Sequence, residues 1–128
     1  VDCGGFNTLF AALARACGIP ARIVSGFWAG YPSSTMHAWV ETLFPNGEWV
    51  VADPSIEYLR KKGKRVQPGY LGYSGSDRIA FFVGCDSVIP IHDSVAHVDI
   101  LQHPFVIAQQ GESSVAVSLT FTTHRLRV

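Results

Sequence analysis

The chain has 128 residues and a formal net charge of zero, and 48% of its residues are apolar while 16% are charged. This composition is typical of one folded domain with its own hydrophobic core, and it excludes an intrinsically disordered segment. The balanced charge gives no global attraction to nucleic acid, and no apolar run approaches the roughly 18 residues of a membrane span. We therefore predict neither a nucleic-acid partner nor a membrane partner. The three cysteines lack the spacing of a disulfide framework.

The first predicted element is a helix over residues 5–17. Gly18 is predicted to end this helix in a left-handed conformation, and Pro20 prevents its continuation. Apolar side chains recur at helical spacing and predict a buried face made of Phe6, Leu9, Phe10, Leu13, Ala16 and Cys17.

Three strands are predicted next, over residues 21–27, 36–44 and 48–52, with a turn at 30–34. The last two form a hairpin, and its turn decides which residues share a face of the sheet. A two-residue turn at 46–47 would place His37 and Asp53 on opposite faces. We predict a three-residue turn, because a proline opens it and a glycine closes it. That turn opposes Asp53 to Trp39 and puts Asp53 on the face of His37.

The stretch 56–77 is the least regular and is predicted to be a surface excursion with one helical turn at 57–61. Its basic run, 60–65, is predicted to be a solvated loop, with anion binding as the alternative. Residues 97–102 fit a strand or a helix. Further strands are predicted at 78–83, 88–91 and 114–122. This order predicts an α+β fold, in which the N-terminal helix packs on an antiparallel β-sheet.

Cys3, His37 and Asp53 stand in the order that a cysteine nucleophile requires. The thiol attacks, the imidazole is its base, and the carboxylate orients the base. Cys3 lies near the start of the predicted helix, where unpaired backbone N–H groups and the helix dipole favour a thiolate. Gly4 and Gly5 follow it and leave the thiol accessible to a substrate. We predict that these three side chains are the catalytic residues.

At these residues the chain resembles the transglutaminase-like superfamily, whose core belongs to the papain-like cysteine proteinase fold. The resemblance covers residues 2–55, with a weaker match at 76–81. Its segments, in chain order, are Asp2–Gly5, Leu9–Leu13, Ala16–Arg22, His37–Glu41, Trp49 and Asp53–Pro54.

The resemblance implies a bacterial-type transglutaminase-like or cysteine protease protein, with a single domain over residues 1–128. In that family a second donor for the oxyanion comes from sequence upstream of the nucleophile. We therefore expect the chain to be a fragment that lacks this upstream sequence.

Three residues near the predicted nucleophile and base are candidates for the substrate cleft: Gly4, Trp28 and Trp39. Trp49 is predicted to lie in the core, and Glu41 to pair with a basic side chain. Cys17 and Cys85 are predicted to be apolar filler.

No metal and no other cofactor is predicted. The histidines and aspartates near the end of the chain lack the paired spacing of a zinc site: His92, Asp93, His97, Asp99 and His103.

The residues and the resemblance together predict an enzyme that transfers the acyl group of a peptide or side-chain amide through a thioester on Cys3. Hydrolysis by a protease or amidase is slightly favoured over transamidation, and the expected partner is a peptide or protein substrate. One alternative is a non-catalytic binding or scaffold domain that keeps the fold. Another is a peptide-N-glycanase-like amidase. The oligomeric state and the cellular location stay open, with the cytoplasm slightly favoured.

Overall fold

The computed structural model describes residues 2–28, 35–64, 71–72, 77–91, 94–102, 111, 118 and 120. Within these residues the chain forms two helices and six strands. The elements are α1 (Cys3–Ala16), β1 (Ala21–Trp28), β2 (Thr35–Leu43), β3 (Trp49–Ala52), α2 (Pro54–Lys61), β4 (Arg78–Val83), β5 (Ser87–Ile91) and β6 (Ser94–Val98).

Four of the strands form one antiparallel sheet in the order β3-β2-β1-β4, and β5 pairs with β6 in a separate hairpin. Helix α1 packs on β1 and β2. The buried cluster between them consists of Ala11, Ala21, Ile23 and Val40. The predicted α+β fold, with the cysteine-bearing helix on an antiparallel sheet, is confirmed.

Both ends of α1 follow from local sequence signals. At its start, the Asp2 carboxylate accepts a hydrogen bond of 2.9 Å from the Gly5 N–H, which satisfies one of the free donors of the first turn. At its end, Gly18 adopts the predicted left-handed conformation, with φ +77°. The N–H of Ile19 then donates back to the carbonyl oxygen of Ala14 at 2.9 Å, which closes a Schellman motif.

The buried face of α1 differs from the predicted one. Leu9 and Leu13 are 60% and 58% exposed, and Ala16 and Cys17 are exposed as well. The fully buried positions are Asn7 and Ala11, and the residues partly buried against the core are Phe10 and Ala14. Small side chains at the contact let the helix approach the sheet closely, and the buried amide of Asn7 is hydrogen-bonded there. Apolar periodicity alone does not detect such a face.

The predicted register of the β2–β3 hairpin is confirmed. Leu43 pairs with Trp49, and Phe44 lies opposite Glu48. Residues 45–47 therefore form a three-residue turn, in which Gly47 has φ +86°. The Phe44 N–H donates to the carbonyl oxygen of Glu48 at 2.9 Å. The same register, continued past the end of β3, sets Asp53 level with Trp39.

Helix α2 contains the helical turn predicted at 57–61, but it begins three residues earlier, at Pro54, so the start of the stretch is more regular than predicted. Asp53 caps this helix by accepting from the Ile56 N–H at 3.2 Å, and Pro54 occupies its first position. A capping residue followed by proline is a recognised helix start, so the signal was present in the sequence. Arg60 belongs to the helix and pairs with Glu57 at 2.6 Å, which corrects the loop prediction for the first part of the basic run.

The later elements agree in part with the predictions. Strand β4 has the predicted bounds, and β5 begins one residue earlier than predicted. Strand β6 covers Ser94–Val98, so the segment at 97–102 is a strand only at its start. The predicted turn at 30–34, and nearly all of the predicted strand at 114–122, lie outside the described residues.

Three side chains predicted to be buried are exposed. Cys17 and Cys85 are both exposed, which corrects their prediction as apolar filler. Trp49 is 38% exposed, and the Arg22 guanidinium lies 4.0 Å from its ring centroid. Each of the three lies at the end of an element or in a turn, where a neighbouring strand or helix does not cover it. Of the helices described, none has the length and apolar character to cross a membrane.

Candidate active site

Cys3 is the first residue of α1, and its side chain is partly buried. Asn7 fixes this end of the helix to the sheet. Its amide Nδ2 donates to the carbonyl oxygen of Cys3 at 2.7 Å and to that of Ala38 at 2.6 Å. Because Ala38 directly follows His37 on β2, this fully buried side chain joins the backbone of the thiol to the backbone of the imidazole.

His37 lies on β2 with 4% of its surface exposed. Its Nε2 is 2.6 Å from Oδ2 of Asp53. Cys3 and His37 line the same cavity, and their interaction lowers the pKa of the thiol. Because Nε2 is engaged by Asp53, Nδ1 is the ring nitrogen available to the thiol. The structure therefore brings all three predicted side chains together.

Asp53 is fully buried and uses both of its carboxylate oxygens. Oδ1 accepts from the Ser55 hydroxyl at 2.7 Å and from the Ile56 N–H at 3.2 Å. Oδ2 is shared between Nε2 of His37 at 2.6 Å and Nη2 of Arg78 at 3.0 Å. A buried carboxylate with four partners has a fixed orientation, so it also fixes the plane of the His37 ring.

The proton equilibria of the site favour an ion pair between Cys3 and His37. The hydrogen bond with His37 lowers the pKa of the Cys3 thiol, against the opposing effect of burial. The charge of His37 and a backbone hydrogen bond with Ala38 lower this pKa further, while the Asp2 carboxylate opposes the shift. Burial would lower the pKa of His37, but hydrogen bonds with Asp53 and Cys3 outweigh it and raise that pKa to about 9.

Asp53 stays ionised in the same network. Burial would raise the pKa of its carboxyl group, but the hydrogen bond and charge of His37, with the bonds from Ser55 and Ile56, hold that pKa below its usual value. The lowered pKa of the thiol and the raised pKa of the imidazole both favour a thiolate–imidazolium pair beside an ionised carboxylate, the form that a cysteine nucleophile requires.

A cavity of about 270 Å³ opens beside the thiol. Its walls come from the start of α1, the end of β1 and helix α2, and its lining residues are Asp2, Cys3, Phe6, Trp28, His37, Ser55, Ile56, Tyr58 and Leu59. Apart from Asp2 and the two reactive groups, these side chains are uncharged and mostly apolar, as is usual for a small-molecule or peptide site.

Of the three cleft candidates, only Trp28 is among the residues that line the cavity. Its ring centroid is 5.1 Å from that of His37, and its Nε1 donates to Oδ2 of Asp77 at 2.6 Å. Trp39 is 4% exposed and stacks on His37 at 6.3 Å, so it supports the imidazole from within the protein. Gly4 does not line the cavity; a Cβ added at this position would lie 3.5 Å from Cδ1 of Ile100.

Three buried residues of the site were not predicted: Asn7, Ser55 and Arg78. Asn7 stands at a position i+4 from Cys3 in the helix, so its spacing pointed to the same face as the thiol. Ser55 follows the capping Asp53 within the first turn of α2. Arg78 lies in the weaker segment of the resemblance, at 76–81, and the pairing of β4 with β1 brings it to Asp53.

Two surface expectations can be compared with the structure. Glu41 pairs with Arg22, with Nη2 to Oε2 at 2.7 Å, which confirms its predicted basic partner. Within the described part of the chain, no group of three or more His, Cys, Asp or Glu side chains is placed to hold a metal ion. Of the residues considered for a metal, His92, Asp93 and His103 lie outside that part.

Comparison with known proteins places the core of this site in a family. Residues 2–54 match the sequence profile of the transglutaminase-like superfamily, and this part of the chain is a transglutaminase-like core. A tRNA pseudouridine synthase D of Vibrio cholerae serotype O1, found in three strains, is 39% identical over 79 residues, covering 52% of this chain and 21% of that protein. The uncharacterized protein YebA of Bacillus subtilis is 31% identical over 67 residues, covering 41% of this chain and 9% of that protein.

The chain spans about a fifth or less of the length of these relatives. No solved structure gives a significant match to it.

Proposed function

We propose that the transglutaminase-like core of this chain transfers the acyl group of peptide or side-chain amides, with Cys3 as the nucleophile. The observation that carries the proposal is that Cys3 and His37 line one cavity, while Nε2 of His37 lies 2.6 Å from Oδ2 of Asp53. A thiol, a base and an orienting carboxylate in contact are the parts that nucleophilic thiol catalysis needs.

In the first half-reaction the Cys3 thiolate attacks the amide carbonyl carbon, and the electron pair of the carbonyl bond moves to its oxygen. The tetrahedral intermediate then collapses and the C–N bond breaks. His37 delivers the proton on its Nδ1 to the departing amine or ammonia. A thioester remains on Cys3, and His37 is neutral with its Nε2–H donating to Asp53.

In the second half-reaction neutral His37 takes a proton from water through Nδ1, and the hydroxide adds to the thioester carbon. Collapse of this intermediate breaks the C–S bond, releases the acid and restores the ion pair. The backbone N–H of Cys3 is a donor for the oxyanion in both halves, since it belongs to the first turn of α1, where the helix supplies no acceptor.

Hydrolysis is the outcome that we propose, in preference to transfer to an amine. Two residues that line the cavity, Asp2 and Tyr58, are exposed to solvent, so we expect water to enter the cavity and reach the thioester. An amine acceptor would enter by the same route, so the ratio of amine incorporation to ammonia release distinguishes the two reactions.

The match to tRNA pseudouridine synthase D does not lead us to propose a reaction on tRNA for this chain. The match covers 21% of those proteins, and a chain with a formal net charge of zero offers no general attraction to a tRNA backbone.

The test of the proposal is turnover of a glutamine-containing peptide library, followed both by ammonia release and by incorporation of a fluorescent primary amine. We expect ammonia release with little amine incorporation, and loss of both in Cys3→Ala. Cys17→Ala is the matched control, because Cys17 is exposed and lies at the far end of the same helix. Amine incorporation that exceeds hydrolysis would replace the hydrolase by a transamidase.

Alkylation with iodoacetamide tests the nucleophile without a substrate. At about pH 6 we expect Cys3 to react at least ~10-fold faster than Cys17 or Cys85, because thiolate fraction controls the rate. Exposure alone predicts the reverse order, since Cys17 and Cys85 are exposed and Cys3 is partly buried. Equal rates at all three cysteines would refute the nucleophile, whereas fast alkylation of Cys3 without turnover would favour a binding domain.

A further inference from the structure

A buried arginine stands behind the proposed catalytic residues. The Arg78 side chain is 4% exposed, and its Nη2 lies 3.0 Å from Oδ2 of Asp53. Its Nη1 lies 3.8 Å from Oδ1 of Asp77, and its guanidinium carbon is 5.9 Å from the centroid of the Trp39 ring. Arg78 is the first residue of β4, which is the edge strand next to β1. The pairing of β4 with β1 therefore positions the guanidinium at the site.

The neighbours of Arg78 hold it in place from the side of the cavity. Asp77 accepts a hydrogen bond of 2.6 Å from Nε1 of Trp28, and the ring of Trp28 contacts the ring of His37. One polar chain therefore runs from Trp28 through Asp77 and Arg78 to Asp53. Both ends of this chain meet at His37.

Arg78 matters most at the point of the reaction where His37 is neutral. While His37 is an imidazolium, the buried Asp53 carboxylate has two cationic partners. Once His37 has given its proton to the leaving group, the guanidinium is, within the described part of the chain, the cation that still contacts Asp53. Without such a partner the pKa of the buried carboxyl group would rise, and a protonated carboxyl group would be a weaker acceptor for Nε2–H.

We infer that Arg78 is a positioning residue of the site: its guanidinium keeps the Asp53 carboxylate charged and aimed at Nε2 of His37 throughout the reaction cycle. The inference rests on the proposed function for the roles of Cys3, His37 and Asp53. In this role Arg78 acts through its contact with Asp53 and takes no part in the making or breaking of bonds.

The charged groups around Asp53 determine the direction in which loss of Arg78 shifts the pH dependence of the Cys3–His37 pair. Among the described residues they are Cys3 and Asp2 from α1, His37 from β2, and Asp77 and Arg78 from the start of β4. Removal of a positive charge raises the pKa of every group near it, because protonation of each group adds positive charge. Loss of Arg78 should therefore move the whole pH window of the thiolate–imidazolium pair to higher pH.

The experiment measures the rate of Cys3 alkylation by iodoacetamide as a function of pH, in the whole chain, for the wild type, Arg78→Met and Arg78→Lys. We expect the acidic limb of the Arg78→Met profile to move up by about 1 pH unit, which is the usual effect of one close charge. Arg78→Lys should return the limb towards the wild-type position, since it restores the charge without the planar group. A merely structural role would lower the rate at all pH values and leave the limbs in place.

Asp77→Asn supplies a second variant with the opposite sign, which also covers the case that Arg78→Met does not fold. It removes a negative charge next to Arg78 and keeps the guanidinium at Asp53, so the same limb should move to lower pH. The inference would be overturned if the acidic limb stays at the wild-type pH in both variants. If Arg78→Met does not fold, an unchanged limb in Asp77→Asn would overturn it. If the limbs move as expected but no amide is turned over, the role of Arg78 stands and the proposed function fails.

Discussion

Asp53 combines two structural tasks in one side chain. Its Oδ1 caps helix α2 through the Ile56 N–H, and its Oδ2 contacts Nε2 of His37. The helix begins at Pro54, so the cap and the contact with His37 depend on the same backbone position. The orientation of the carboxylate is thus set by the start of a helix, which is more rigid than a loop would be.

The two tasks can be separated with two substitutions of Asp53. In Asp53→Asn the amide oxygen still caps α2, but the amide nitrogen cannot accept from Nε2–H, so the proton of neutral His37 shifts to Nδ1. We expect turnover to fall on the order of 10³- to 10⁴-fold, as for other triads in which the tautomer is wrong. Asp53→Ala should lose the cap as well, and with it about 1 kcal/mol more of the free energy of unfolding.

Urea unfolding and kcat/KM for both variants measure the two effects. Ser55→Ala is the matched control, because it removes one hydrogen bond to Oδ1 and leaves the contact with His37 in place. Turnover of Asp53→Asn equal to that of the wild type would take Asp53 out of the catalytic site.

At the scale of the elements, the close approach of β4 to β1 decides whether Arg78 reaches the site. The pairing of the two strands shifts register between Ser25 and Gly26. A Cβ added at Gly26 would lie 1.9 Å from the carbonyl oxygen of Ile79. Because that atom belongs to the backbone, a side chain here would have to push the two strands apart.

Gly26→Ala should therefore destabilise the fold by about 1–3 kcal/mol, the range for overpacking of a buried contact. Gly4→Ala is the matched control, since its Cβ would meet its nearest atoms at 3.5 Å, an ordinary contact distance. Chemical unfolding of both variants is the measurement. A Gly26→Ala protein as stable as Gly4→Ala would show that β1 and β4 are not held this closely.

The sequence was most informative where a local rule decides the geometry. The glycine of the β2–β3 turn set the hairpin register, and that register put Asp53 on the face of His37. The prediction of the buried face of α1 was wrong, because small and polar residues make the contact with the sheet. Such residues do not recur as large apolar side chains at helical spacing. Arg78 was missed because its contact with Asp53 joins positions 25 residues apart, and only strand pairing brings them together.

At the scale of the whole molecule, protonation of the site is linked to folding. The pKa of His37 is raised from 6.5 to about 9, so its stabilisation is fully present below pH 6.5 and is lost as the pH rises through about 9. The pKa of Cys3 is lowered from 9.0, so its stabilisation is present above pH 9.0 and is lost as the pH falls through the folded value. Between the folded pKa of Cys3 and pH 9.0 the two effects have opposite slopes and offset each other.

Cys3→Ser exposes this balance, because a serine hydroxyl does not ionise in that range. Between the folded pKa of Cys3 and pH 9.0 the free energy of unfolding of the wild type should stay nearly constant. In Cys3→Ser it should fall with rising pH from 6.5 upward, with a slope approaching about 1 kcal/mol per pH unit. The fall should end below pH 9, since part of the raised pKa of His37 comes from Cys3 itself. Urea unfolding across this range measures the slope, and Cys17→Ser should keep the wild-type profile because its thiol is exposed. Parallel profiles for Cys3→Ser and the wild type would mean that Cys3 and His37 do not share a proton in the folded protein.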